Sequence, residues 1–151
     1  MHPSPPPLAI RPLVESVLAL YTHLHPADDA LPPLPQVQAI WQGLMADPRN
    51  LYLGGFVGPE LVSSCVLLVI ANLTRGCRPY ALIENVVTHA DYRQRGYGRA
   101  LLHAALAQAW AKSCHKAMLM TGSKDEATLR FYAEAGFDSH EKQAFVARPP
   151  A

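Results

Sequence analysis

The spacing of apolar and polar residues divides this chain into strands and helices. Runs of β-branched and aromatic residues between turn residues predict strands, and apolar residues three or four positions apart predict helices. The predicted strands cover residues 8–13, 51–57, 61–73, 80–88, 116–121 and 137–146, and the predicted helices cover residues 14–24, 34–45, 99–112 and 125–135. In chain order this is β-α-α-β-β-β-α-β-α-β, which predicts an α/β fold (an α+β mixed sheet) with helices on both faces.

Turn residues support these boundaries. Gly58-Pro59-Glu60 separates two strand patterns and predicts a three-residue hairpin connection. Gly136 follows the last helical pattern, at the position where glycine commonly ends a helix. Neither an internal repeat nor a second core pattern is present, so residues 1–151 are predicted to form a single domain. Residues 1–7, which are rich in proline, are predicted to be a flexible tail.

Composition narrows the class of protein. Half of the residues are hydrophobic and 17% are charged, which is typical of a globular chain. A net charge of +1 gives no electrostatic reason to expect a nucleic-acid partner. Three cysteines without a Cys-x-x-Cys pair predict buried thiols, with neither a disulfide framework nor a metal site. The longest apolar run, residues 65–71, is too short to span a membrane, and a cytoplasmic protein is expected.

The stretch Arg93-Gln94-Arg95-Gly96-Tyr97-Gly98, which we call the glycine loop, lies between a predicted strand and a predicted helix. Glycine allows close approach of the backbone to a ligand, and the free N–H groups at a helix start favour an anion. A Walker loop would need Lys-Ser/Thr where Arg99-Ala100 stands, and the dinucleotide fingerprint would need a third glycine at position 101. The alternative is a basic, glycine-capped turn that binds nothing.

The remaining pattern, Arg/Gln-x-x-Gly-x-Gly/Ala, resembles the acetyl-CoA pyrophosphate loop of the GNAT superfamily of N-acetyltransferases. The strand 84–88 before the loop, the Tyr92-Arg93 entry, and Phe131-Tyr132 followed by Gly136-Phe137 resemble further family motifs in register. The predicted order of elements is also the order of this family. The resemblance implies the GNAT acyl-CoA N-acyltransferase fold, acetyl-CoA as co-substrate, and a primary amine of a small molecule as acceptor.

The same resemblance implies which residues hold acetyl-CoA. The backbone amides of residues 94–99 would cradle the pyrophosphate, and Val86 to Thr88 would pair with the pantetheine arm as an added strand, with an N–H near Val86 or Val87 polarising the thioester. Each arginine is equally consistent with a solvated surface charge. The cofactor-binding residues implied are Val86, Val87, Thr88, Arg93, Gln94, Arg95, Gly96, Tyr97, Gly98, Arg99 and Asp125.

Two residues are predicted to be catalytic. Tyr132 lies where the family has its catalytic tyrosine, and a phenol can protonate a departing thiolate; the alternative is a core aromatic. Glu84 is predicted to act as base, directly or through water, because strand alternation would place it on one face with Val86 and Thr88. A salt bridge or a substrate anchor would equally explain Glu84. His89 is a rival base, and His115 and His140 are predicted to be surface histidines.

The acceptor is less defined. Residues 83–87, Ile-Glu-Asn-Val-Val, resemble the Ile-Glu-Asp-Val-Val of glucosamine-6-phosphate N-acetyltransferases, but Asn85 lacks the charge of the aspartate. The family's acceptor pocket would be lined by Tyr21, His23, His25, Asp28 and Asp29, and acidic groups there suit a cationic amine. A protein amino-group acetyltransferase, a non-catalytic acyl-CoA-binding module and an interaction protein remain alternatives. A homodimer is expected, since the family often pairs through C-terminal strands, here Ala144-Phe145-Val146.

Overall fold

The computed structural model describes residues 14–151, so the predicted tail and the predicted strand 8–13 lie outside the described residues. This part of the chain forms five helices and four strands. They are α1 (Val14–Tyr21), α2 (Leu34–Ala46), β1 (Asn50–Val57), β2 (Glu60–Ile70), α3 (Thr74–Cys77), β3 (Tyr80–Thr88), α4 (Tyr97–Ala111), β4 (Ala117–Leu119) and α5 (Glu126–Glu134), with a 3-10 turn at Ala90–Tyr92. α3 is a single turn inside the segment predicted as a polar loop, and its residues Arg75, Gly76 and Cys77 have left-handed φ values of +56°, +70° and +59°.

The four strands form one mixed sheet in the order β1-β2-β3-β4. β1, β2 and β3 are antiparallel neighbours, and β1 turns into β2 through Gly58 and Pro59, because Val57 already pairs with Glu60. β4 runs parallel to β3 after the crossover helix α4, as a parallel pair requires. Their pairing covers three residue pairs, from Ala81 opposite Ala117 to Ile83 opposite Leu119.

Apolar residues cover the sheet on both faces, as predicted. The larger core joins one face to α4 and α5, and its buried residues are Leu53, Cys65, Leu67, Ala81, Ile83, Leu101, Leu102, Ala105, Ala109, Cys114 and Ala135. The smaller core joins the opposite face to α1 and consists of Val17, Leu20, Leu61 and Val87. The prediction of buried thiols holds for Cys65 and Cys114 and is wrong for Cys77, which is exposed in α3.

The prediction of a last strand over residues 137–146 is wrong, because these residues form neither a helix nor a strand. Gly136, at φ +103°, turns the chain at the end of α5, and the Phe137 N–H donates to the Tyr132 carbonyl oxygen at 3.1 Å. The next six residues are all polar, so no alternating apolar face exists to bury. Phe145 is 89% exposed. Pairing of two copies through this segment stays a prediction.

Of the helices within residues 14–151, none combines the length and the apolar character needed to cross a bilayer.

Candidate active site

The pairing of β3 with β4 ends before β3 does, and we call the unpaired edge of β3 beyond Ile83, together with the glycine loop that follows it, the gap. The ladder between the two strands stops at Ile83, so residues 84–88 of β3 have no partner on the β4 side among the described residues. Unpaired main-chain groups on an exposed strand edge accept an extended ligand as an added strand. The glycine loop leaves the same end of β3 and leads into α4. The gap therefore joins an open strand edge to a helix N-terminus.

From Gln94 onwards, the N–H groups of the glycine loop have no hydrogen-bond partners within the described residues. Gln94 and Gly96 both have positive φ values, +61° and +85°. Gly96 is the N-cap of α4 and supplies no side-chain cap. Within the described chain no backbone N–H of residues 94–99 donates a hydrogen bond, and the first N–H of the α4 ladder is that of Ala100, which donates to the Gly96 carbonyl at 3.0 Å. These free donors and the dipole of the 15-residue helix α4 make the loop suited to a phosphate group.

The three arginines around the loop differ in their contacts. Arg93 donates through Nε to the Thr88 carbonyl at 3.1 Å and through Nη2 to the His23 carbonyl at 3.0 Å, so its side chain ties β3 to the segment after α1. The Arg95 guanidinium carbon lies 5.5 Å from the centroid of the Tyr92 ring. Arg99 forms an ion pair with Glu134 at 2.8 Å, and both side chains are about half exposed. Exposed pairs contribute only about 0–1 kcal/mol, so an anion could displace Glu134.

Gly98 lets α4 and α5 approach each other closely. A Cβ added at Gly98 would lie 3.0 Å from Cζ of Phe131 and 3.4 Å from Oγ1 of Thr88. Phe131 in turn packs against the larger core and lies 5.0 Å, centroid to centroid, from the Tyr132 ring. A side chain at position 98 would therefore push directly on the pair of aromatic residues that borders the gap.

Tyr132 lies on α5, half-buried against the larger core, and its ring is 6.4 Å from that of Phe137. Burial, reinforced by the neighbouring Cys65 thiol, raises the pKa of Tyr132 above its usual value. The phenol therefore keeps its proton at neutral pH. Asp125 caps the same helix, since its Oδ2 accepts from the Thr128 N–H at 3.3 Å. Its predicted contact with the cofactor stays a prediction.

A β-bulge decides which way the β3 side chains point. Ser64 pairs with Val87 and Val66 pairs with Glu84, so Cys65 faces two residues, Asn85 and Val86. The extra residue is Asn85, whose φ of +52° lies in the left-handed region that asparagine tolerates better than most residues.

The bulge reverses the alternation along β3. Val86 packs against the larger core, as Ile83 does, whereas Val87 belongs to the core on the α1 face. The prediction that Glu84 shares a face with Val86 and Thr88 is therefore wrong. Glu84, half-buried, follows Ile83 and points to the α1 face, while Thr88 lies beside Gly98 on the α4 face.

A family model described as "Acetyltransferase (GNAT) family" matches residues 14–137. The chain belongs to the GNAT acetyltransferase family. It is 36% identical over 84 residues to the glucosamine 6-phosphate N-acetyltransferase of Trypanosoma brucei brucei. The aligned residues cover 56% of this chain and 55% of that protein. The chain thus spans about half the length of this curated relative.

Solved structures of GNAT proteins have the same fold. A candidate acetyltransferase from Agrobacterium tumefaciens str. C58 has a TM-score of 0.86 at 35% identity, over 94% of this chain and 100% of that one. A Trypanosoma brucei acetyltransferase has a TM-score of 0.74 at 30% identity, over 93% of this chain and 99% of that one. The GNAT resemblance and the fold predicted from it are confirmed.

The α1 face of the sheet contains a polar group that the motifs did not single out. The Tyr21 hydroxyl is buried without a hydrogen-bond partner among the described residues. Burial is the main cause that raises the pKa of Tyr21, and the nearby Tyr52 raises it further. The Asn85 side chain beside Tyr21 lowers this pKa. Tyr21 was predicted to line the pocket, but its approach to the bulge was not. The available signal was Asn85 itself, since asparagine is a poor residue for the middle of a strand.

The histidines also differ from the predictions. His89, the rival base, stacks on His23 with ring centroids 4.0 Å apart, and its Nδ1 accepts from the Asp91 N–H at 3.1 Å. His115 is half-buried, and its Nε2 is buried without a partner in the described part of the chain, so the surface prediction is wrong for it. Burial, followed by nearby cationic side chains, lowers the His115 pKa. Asp28, Asp29 and His25 are exposed in the loop after α1.

The close contact at position 98 gives a test of the glycine loop. Gly98→Ala is expected to destabilise the fold by about 1–3 kcal/mol, because the new methyl group overpacks Phe131, and to raise KM for acetyl-CoA. Gly43→Ala is a matched control, since Gly43 also lies in a helix and a Cβ there meets nothing within 4 Å. The control should stabilise the protein by up to about 1 kcal/mol through helix propensity. Urea unfolding of both variants measures the change in the free energy of unfolding. Equal changes in the two variants would contradict the packing argument.

Proposed function

We propose that this GNAT protein transfers the acetyl group of acetyl-CoA to a primary amine of a small molecule by direct attack within a ternary complex. One arrangement carries the proposal: the free N–H groups of the glycine loop follow the unpaired edge of β3, and the Tyr132 ring lies 5.0 Å from the ring of Phe131, which meets Gly98 of that loop. Relatives with N-acetyltransferase activity on glucosamine 6-phosphate support an amine acceptor. Membership of the GNAT acetyltransferase family supports acetyl-CoA as the co-substrate that the resemblance implies.

In the proposed binding mode, acetyl-CoA lies along the gap. Its pyrophosphate accepts from the amides of residues 94–99, and Arg95, which has no ion pair among the described residues, is the side chain best placed to add charge. Arg99 would contribute after leaving Glu134. The pantetheine arm pairs with residues 86–88, where a backbone N–H polarises the thioester carbonyl. Arg93 supports the loop through carbonyl contacts.

The proposed reaction needs one acid and one base. The acceptor nitrogen attacks the thioester carbonyl carbon, a C–N bond forms, and the C–S bond breaks. Tyr132 gives its proton to the departing sulfur. The amine loses its proton to Glu84, directly or through water. The bulge supports this division of roles, because it turns Glu84 towards the α1 face while Val86 stays on the face of Tyr132. Acid and base would then approach the reacting centre from opposite faces of β3.

The experiment is thiol release from acetyl-CoA over a panel of amines. The panel holds glucosamine and its 6-phosphate, polyamines, amino acids, aminoglycosides and a lysine peptide. Release with one class of small amine, together with saturable acetyl-CoA binding, is the expected result. Acetyl-CoA binding with no release for any amine would favour a non-catalytic binding module, and release with the lysine peptide alone would favour a protein amino-group acetyltransferase. Absence of acetyl-CoA binding would overturn the proposal.

A further inference from the structure

Two segments far apart in the chain meet next to the glycine loop. One is the turn after α1, which contains His23, and the other is residues 89–93, which lead from β3 into the loop. The Ala90 N–H donates to Nδ1 of His23 at 3.3 Å. Arg93 donates to the His23 carbonyl at 3.0 Å, and the imidazoles of His23 and His89 stack with their centroids 4.0 Å apart. His23 thus contacts the 89–93 segment through its ring face, its ring nitrogen and its carbonyl.

These contacts fix the protonation state of both rings. Nδ1 of His89 accepts from the Asp91 N–H at 3.1 Å and thereby caps the 3-10 turn Ala90–Tyr92. A ring nitrogen accepts a hydrogen bond only when it carries no proton, and both nitrogens of an imidazolium are donors. His23 and His89 must therefore both be neutral, with the proton on Nε2, for the observed contacts to exist. Protonation of Nδ1 would turn each acceptor towards an N–H donor.

Charged side chains of both signs lie around the two imidazole rings. Oδ2 of Asp91 lies 4.0 Å from Nδ1 of His89, and the Asp91 side chain is 85% exposed. The Arg93 guanidinium lies at the His23 carbonyl. Tyr92 packs edge-on against His89 and carries Arg95 over its ring, while its hydroxyl donates to Glu60 at 2.8 Å. Two protonated rings would place like charges 4.0 Å apart.

We propose that His23 is a positioning residue of the glycine loop. It holds the 89–93 segment at the end of α1 and so sets the direction of the N–H groups that follow. The Ala90 contact exists only while Nδ1 of His23 carries no proton, so protonation of His23 should weaken acetyl-CoA binding. This role rests on the proposed binding of acetyl-CoA at the glycine loop. It also links α1, which carries Tyr21 on the acceptor side, to the cofactor side of the gap.

The test uses the full chain with His23→Asn and His23→Leu. The Oδ1 atom of asparagine can replace Nδ1 as acceptor for the Ala90 N–H and does not titrate, whereas leucine offers no acceptor. Isothermal titration with acetyl-CoA gives Kd, and kinetics with a substrate amine give KM and kcat, from about pH 8 to about pH 5, where histidine changes charge. His140→Leu is the control, because His140 is exposed in the C-terminal segment.

The comparison of variants separates the effect of the side chain at position 23 from the effect of protonating the ligand. The phosphate groups of acetyl-CoA titrate in the same range, so each variant is compared with the wild type at the same pH. His23→Leu should raise Kd at pH 8 by about 2- to 10-fold, the contribution of one hydrogen bond, and this difference should shrink wherever protonation of His23 removes the contact. His23→Asn should match the wild type in Kd at pH 8 and bind more tightly than the wild type wherever His23 is protonated.

Amide hydrogen exchange supplies a readout that needs no activity. His23→Leu should speed exchange at Ala90, whose N–H loses its acceptor, and His23→Asn should restore protection there. If the wild type does not bind acetyl-CoA, the proposed function fails, and the exchange data alone then uphold or overturn the positioning role. If the wild type binds and His23→Leu matches it in Kd and exchange at every pH, the inference is overturned.

Discussion

Replacing Tyr132 by phenylalanine is expected to lower kcat by about 10²–10⁴-fold, the usual contribution of a positioned general acid. The ring contacts to Phe131 and Phe137 do not involve the hydroxyl, so phenylalanine should keep the packing of α5 on the larger core. Binding of acetyl-CoA and the free energy of unfolding should therefore change little. A loss confined to kcat would identify a group that acts in the transition state alone.

The pH dependence of the wild type should carry the same signature. Burial raises the pKa of Tyr132, so the protonated, active form of this acid extends further into the alkaline range than an ordinary phenol would. Its contribution is fully present below the ordinary phenol pKa of about 10 and is lost as the pH rises through the higher value in the folded protein. An alkaline decline of kcat that begins above about pH 10 and disappears in Tyr132→Phe is the expected result.

A matched variant separates the acid from a general effect of losing a phenol. Tyr80 lies at the start of β3, at the opposite end of the strand from the glycine loop, and its ring lies under the Lys116 ammonium at 5.3 Å. Tyr80→Phe keeps that ring and should leave kcat unchanged. If Tyr132→Phe also kept its full kcat, the thiolate would have to leave without a proton from this side chain, and the assignment of the acid would be wrong.

Local patterns predicted the elements whose apolar spacing repeats over several turns or strand residues. The α4 helix, the long strand β2 and the strand–loop–helix order around Gly96 are visible in the sequence, because propensity and burial agree there. The candidate residues of the gap followed from one glycine loop and one aromatic pair. The side-chain contacts did not, since Arg93 meets a carbonyl 70 residues away, and no local pattern contains that partner.

Two errors have a common origin in strand pairing. The predicted strand 137–146 has apolar residues at its end but no neighbour that pairs with it in the described chain. The predicted face of Glu84 assumed unbroken alternation, whereas the register of β2 against β3 inserts Asn85. Pairing and register are properties of two segments together, so a reading of either segment alone leaves them undetermined. The only local sign of the bulge was Asn85, a polar residue of low strand propensity inside β3.

Replacing Asn85 by valine is expected to remove most of the activity, because the bulge decides which faces carry the proposed acid side and base side. A β-branched residue is strongly disfavoured at a φ of +52°, and holding valine there should cost about 1–3 kcal/mol of stability. If β3 instead relaxes to a regular register, Glu84 and Val86 come to lie on one face. A shift of reacting groups by about 1 Å can lower the rate by about 10²-fold, and kcat should fall by at least that factor.

Glycine at position 85 separates backbone geometry from side-chain chemistry. Asn85→Gly permits the positive φ and should keep the bulge, with kcat close to that of the wild type, if Asn85 acts through its backbone. A comparable loss in the glycine and valine variants would instead assign the role to the amide beside Tyr21. Asn85→Asp also tolerates the left-handed region and adds the charge found at this position in the resembling glucosamine-6-phosphate enzymes. Full activity of Asn85→Val, with β3 relaxed to the regular register, would contradict the bulge argument, since Glu84 and Val86 would then lie on one face without consequence for the reaction.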